Sequence, residues 1–87
     1  MRHRVDNLHA EVVRRLRAAG WSVQSLTQVG NGVPDLLVAT PNGETLLIEV
    51  KSRHRPLSPR QAEWIRRWQG RVVVVRNLDE LEALLET

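Results

Sequence analysis

Apolar residues change rhythm along this chain, and each rhythm predicts a different element. From Val5 to Ala19, the residues Val5, Leu8, Val12, Leu16 and Ala19 recur every third or fourth position, as on one buried face of an α-helix. Asp6 is placed to cap its start and Gly20 to end it. Trp21 to Val29 alternates in part and reads as a strand, broken by Gly30, Asn31 and Gly32. Pro34 to Thr40 contains the run Leu36-Leu37-Val38, a buried strand, and Glu44 to Lys51 is another, with a turn at Pro41-Asn42-Gly43 between them. After a loop from Ser52 to Leu57, Ser58, Pro59 and Gln61 form the signature of a capped helix start. Ala62, Ile65 and Trp68 supply that helix's apolar stripe, and Gly70 stops it. Val72 to Val75 is a run of valines expected to be covered on both faces. Asn77 with Glu80 signals a last short helix carrying Leu78, Leu81, Leu84 and Leu85. The order α-β-β-β-α-β-α predicts an α/β domain, a mixed sheet with helices packed on it.

The turn sets the register of the first hairpin. Pro at the second and Gly at the fourth position of Thr40-Pro41-Asn42-Gly43 fit a type I turn closed by a left-handed glycine, which makes a three-residue loop. Thr40 then faces Glu44, and counting outward places Asp35 directly opposite Glu49, their Cβ atoms about 4.5–5.5 Å apart. The other favoured loop, Asn42-Gly43 alone, shifts the pairing by one residue and sends the two carboxylates to opposite faces. In the first register two like charges oppose each other, which is tolerated when one is protonated or a cation sits between them. Lys51, two residues beyond Glu49, projects from the same face as Glu49. Hard oxygen donors of this kind suit Mg²⁺ or Mn²⁺.

Length and composition narrow the class. The 87 residues are expected to form a single domain over residues 1–87. There is no cysteine, which excludes disulfides, thiolate metal sites and a cysteine nucleophile. No apolar run approaches the roughly 20 residues of a membrane span, and residues 1–10 lack the apolar stretch of a signal peptide, so a cytoplasmic protein without membrane association is expected. The net charge is +3 and Lys51 is the one lysine among 13 basic residues. An arginine excess permits a phosphate-bearing partner without requiring it. The aromatic residues are three tryptophans. Trp64 and Trp68, one helical turn apart, read as packing residues.

Pro34-Asp35 followed by Glu49-Val50-Lys51 on hairpin strands, in this order of elements, resembles the PD-(D/E)xK nuclease superfamily. Gly32-Val33-Pro34-Asp35-Leu36, Ile48-Glu49-Val50-Lys51 and Leu57-Ser58-Pro59-Arg60-Gln61 narrow the resemblance to the VRR-NUC family, in a minimal stand-alone form like that of phage and bacterial members. The resemblance implies a restriction-endonuclease-like α-β-β-β-α-β core with a four-stranded sheet. It implies a Mg²⁺- or Mn²⁺-dependent deoxyribonuclease, with Asp35, Glu49 and the Val50 carbonyl as metal ligands. Lys51 would act on the attacking water and the phosphate, and Gln61 would support the site from its helix. Glu11 matches the further carboxylate that the superfamily often adds, and a helical wheel sets it on the flank of the buried stripe. Arg53, His54 and Arg55 are expected at nucleic-acid phosphates. DNA is the expected partner, branched DNA such as a Holliday junction included, and the stand-alone form points to a homodimer. Two alternatives stay open here: an inactive nucleic-acid-binding domain of the same fold, and a protein-interaction module that docks through the leucines of the last helix.

Overall fold

The computed structural model describes residues 7–52 and 54–86. Their elements are α1 (Leu8–Ala18), β1 (Ser22–Ser25), β2 (Leu36–Ala39), β3 (Thr45–Val50), α2 (Pro59–Arg67), β4 (Val72–Val75) and α3 (Leu78–Leu85), in the expected order. One sheet runs β1-β2-β3-β4. The β1–β2 and β2–β3 pairs are antiparallel and β3–β4 is parallel; the parallel pair requires a crossover, and α2 lies in it.

The hairpin adopts the three-residue loop. Leu36 pairs with Ile48 and Ala39 with Thr45. The Gly43 amide donates to the Thr40 carbonyl at 2.8 Å, and the Thr40 amide to the Glu44 carbonyl at 2.8 Å. Gly43 has φ +90°, the left-handed conformation that closes this loop and that a side chain would oppose.

α1 and α3 cover one face of the sheet. Val12, Leu16, Leu81 and Leu84 pack there with Leu36, Val38, Leu46, Ile48 and Val75. Burial of Leu81 and Leu84 in this core removes the α3 leucines as a docking surface. Asn77 caps α3 by accepting from the Glu80 amide at 2.8 Å, as its sequence signal indicates. On the opposite face of β3, Leu47 and Glu49 are also buried, while Leu37 of β2 is 38% exposed.

The structure corrects several boundaries. β1 stops at Ser25 rather than reaching Val29, because the chain turns after Leu26: the Thr27 amide donates to the Ser25 hydroxyl and the Val29 amide to the Leu26 carbonyl at 2.9 Å. α1 begins at Leu8, with Asn7 before it making no side-chain cap; Asp6 and Val5 lie outside the described residues. β4 is an edge strand, so of its valines only Val75 is fully buried, not the whole run. α2 fully buries none of its residues and Trp68, just past its end, is exposed, so Ala62, Ile65 and Trp68 do not form the core stripe expected of them. No helix among the described residues is long and apolar enough to cross a membrane.

Candidate active site

β3 ends by delivering Glu49, Val50 and Lys51 to the rim of the sheet, and the segment entering β2 brings Asp35 beside them. Pro34 is fully buried and fixes the approach of that segment. The Asp35 carboxylate accepts from the Val50 amide at 3.0 Å through Oδ2. That bond ties the two strand ends together just past the last ladder pair, Leu36 with Ile48.

Glu49 is 2% exposed. Its Oε2 accepts from Gln61 Nε2 at 3.1 Å. Its Oε1 is buried with no hydrogen-bond partner among the described residues. Burial, and after it the charge of Asp35, push the Glu49 carboxyl up to about 7, against opposing pulls from Lys51 and the Asp35 backbone. An orphaned buried oxygen of this kind is costly unless a proton or a cation fills the space in front of it.

Gln61 joins the site to the start of α2. Its Oε1 accepts from the Ser58 amide at 2.8 Å and from Lys51 Nζ at 2.9 Å, while its amide nitrogen serves Glu49. The Gln61 amide in turn donates to Ser58 Oγ at 3.1 Å. Helix capping and site support are therefore done by one side chain, whose fixed amide sets the spacing between the ammonium and the buried carboxylate.

A cleft of about 260 Å³ opens over this group, lined by Leu8, His9, Asp35, Glu49, Val50, Lys51, Ser52, Arg55 and Gln61. Arg55 reaches it from the loop before α2, and Arg76 anchors that loop by donating to the Arg55 carbonyl at 2.7 Å. His54 is exposed and does not line the cleft; Arg53 lies outside the described residues.

Glu11 is not brought to the pair. Its oxygens accept from Arg14 and from Arg15, the latter at 2.9 Å, and Arg15 also reaches Glu82 of α3 at 2.8 Å. These guanidiniums hold the Glu11 carboxyl down to about 2. His9 occupies the side of α1 that faces the cleft, and Glu11 lies about 160° away around the helix. The sequence signal for His9 is its place on the other flank of the buried stripe.

Among the described residues no group of three or more His, Cys, Asp and Glu gathers around a metal position. The available donors are two carboxylates and the main-chain oxygens beside them. That set fits a hard divalent cation that keeps most of its water shell, as Mg²⁺ does.

Comparison with known proteins gives the family. No curated protein matches the chain. A solved structure described as a VRR_NUC domain superposes with a TM-score of 0.80 at 28% identity, over 94% of this chain and 94% of its own. The family model of the VRR-NUC domain matches residues 2–79, a span that takes in the Pro34-Asp35 and Glu49-Val50-Lys51 strands and the Gln61 helix, and the chain therefore belongs to the VRR-NUC family of nuclease-type domains.

Proposed function

We propose that this protein is a divalent-metal-dependent endonuclease that hydrolyses phosphodiester bonds in DNA, branched DNA such as a Holliday junction among its substrates. The observation that carries the reading is the buried Glu49 carboxylate, one oxygen without a hydrogen-bond partner among the described residues, sharing a cleft with Asp35 and with an ammonium that Gln61 holds in place. A domain that only bound nucleic acid would have no use for opposed carboxylates under a lysine.

Asp35, Glu49 and the Val50 carbonyl would hold Mg²⁺ or Mn²⁺, which when bound supplies positive charge to the phosphate and acidifies a water. Lys51 adds a charge where the transition state is more negative than the substrate. Because Gln61 already orients its ammonium, little reorganisation is needed as the reaction proceeds. Arg55, with Arg53 and His54 in the same loop, engages phosphates beside the scissile one. Glu11 stands outside this set because its carboxylate is engaged by arginines on its own helix.

The protein acts as a homodimer in this reading, since two-fold symmetry matches paired cuts in a symmetric junction. The open face of β1 and β2 supports it: a shallow groove there has Ser22, Gln24, Leu37, Ala39 and Thr45 among its lining, none of them charged. A self-facing interface favours such a surface.

The test is incubation of pure protein with supercoiled plasmid and with a four-way junction in Mg²⁺, Mn²⁺ or EDTA. Cleavage is expected with either metal and not with EDTA, and Asp35→Ala and Lys51→Ala should abolish it while the circular dichroism stays native. Binding without cleavage under all conditions would identify an inactive DNA-binding domain instead. Light scattering that gives a monomer mass at micromolar concentration would remove the dimer.

A further inference from the structure

A groove of about 850 Å³, larger than the cleft over Glu49, lies against α2, with Asn31, Arg60, Glu63, Trp64, Arg67 and Trp68 among its lining. Its lining includes an aromatic pair. The rings of Trp64 and Trp68 stack with centroids 4.7 Å apart and planes 18° apart. Gly70 lies so close that a Cβ there would meet Trp68 Nε1 at 2.7 Å. The Trp68 indole is thus held by Trp64 on one face and by the Gly70 backbone at its edge, yet it remains 49% exposed. An ordered, half-exposed indole costs little conformational entropy to use as a contact surface.

The opposite wall is fixed as well. A Cβ on Gly32 would meet the Arg60 carbonyl oxygen at 2.6 Å, so the Gly30-Asn31-Gly32 loop is pressed directly onto α2. Arg60 Nη1 donates to Asn31 Oδ1 at 3.3 Å. The groove is therefore a formed feature between a loop and a helix whose apolar residues Trp64 and Ile65 the domain itself buries only in part.

Charge decides what can occupy it. α2 carries Arg60, Arg66 and Arg67 against the single carboxylate of Glu63, which pairs with Arg66 at 2.6 Å and lies 3.8 Å from Arg67. The Arg66 and Arg67 side chains are 71% and 73% exposed. A second copy docking here about a two-fold axis would set this positive patch against itself. A polyanion would be attracted, and an unpaired base offers a flat face that an indole accepts whatever its identity. Duplex DNA keeps its bases stacked inside and offers no such face.

We propose that the α2 groove binds unpaired nucleotides of a DNA strand, with Trp68 as the stacking surface and Arg60 and Arg67 at the phosphates. The inference takes its ligand class from the nuclease reading and deepens it. The α2 side chain Gln61 supports the cleft, so a strand opened at a branch would be gripped by the same helix that holds Lys51. Selection for branched over fully paired DNA would arise at this groove rather than at the metal ligands.

The test uses the whole chain in EDTA, where binding is read without cleavage. Tryptophan fluorescence is titrated with a ten-nucleotide oligothymidylate and with a blunt duplex of matched length. Quenching by the single strand is expected. Trp68→Ala should weaken single-strand affinity about tenfold, the scale of one lost base–aromatic stack, and change duplex affinity less than twofold. Trp68→Phe should keep most of the affinity, and Arg67→Ala, at an exposed position, provides a second variant should Trp68→Ala not fold. Absent quenching, or equal affinity for wild type, Trp68→Ala and Arg67→Ala, would overturn the proposal. So would a fall in the mass of Trp68→Ala by light scattering, which would make the groove a contact between copies. Loss of plasmid cleavage under all metals with the fluorescence pattern intact would refute the nuclease reading and leave this inference standing.

Discussion

Replacing Glu49 by glutamine keeps the shape of the side chain and its acceptor for Gln61 while removing a buried charge. Below pH 4.5 the glutamate is protonated in folded and unfolded chains alike and adds no pH dependence. Between 4.5 and about 7 the folded state retains a proton that the unfolded state has released, so stability falls as pH rises. Above about 7 the penalty is complete, and at 1.36 kcal/mol for each pKa step it amounts to roughly 3 kcal/mol. A domain of this size has only about 4–13 kcal/mol of stability in total, so the effect is large. Urea denaturation in EDTA at several values from pH 4.5 to 8 should show wild type losing stability relative to Glu49→Gln, with the gap opening across that window. Other carboxylates, such as Glu11 and Glu63 with their arginine partners, titrate in both proteins and cancel in the difference. Added Mg²⁺ at pH 7.5 should then stabilise wild type, by about 1.4 kcal/mol for each tenfold of concentration above the dissociation constant, and stabilise the variant much less. Parallel pH curves for the two proteins would refute the claim that Glu49 is held as a strained, cation-seeking carboxylate.

Gly32→Ala should destabilise the fold by about 1–2 kcal/mol from its left-handed conformation alone, and further because its Cβ would strike the Arg60 carbonyl oxygen at 2.6 Å; unchanged urea midpoints would mean the loop relaxes freely. Glu11→Gln should loosen the Arg15 link between α1 and α3 and lower the melting temperature slightly at low salt. Its cleavage rate against Mg²⁺ concentration should superimpose on that of wild type, and a displaced curve would return Glu11 to the metal site.

Periodicity and turn chemistry made most of this fold legible in the chain, because those signals are local. The three- and four-residue steps from Leu8 to Leu16, the Ser58-Pro59-Gln61 start of α2 and the Asn77 cap each act within a turn or two of backbone, and each is realised. The hairpin was ambiguous between two loops, and only the folded register put Asp35 and Glu49 on one face. What the chain could not disclose was which flank of α1 meets the cleft. Glu11 and His9 both border the buried stripe, and the choice between them depends on how α1 lies across the sheet and on Arg14 and Arg15 capturing the carboxylate. The same limit applies to the tryptophans. Ala62, Ile65 and Trp68 have the spacing of a core stripe, yet α2 lies in the crossover to an edge strand, where too little of the domain remains to cover it, and its rings stack on each other at the surface. Sequence spacing specifies which side chains share a face; whether that face is buried depends on how much protein the topology places opposite it.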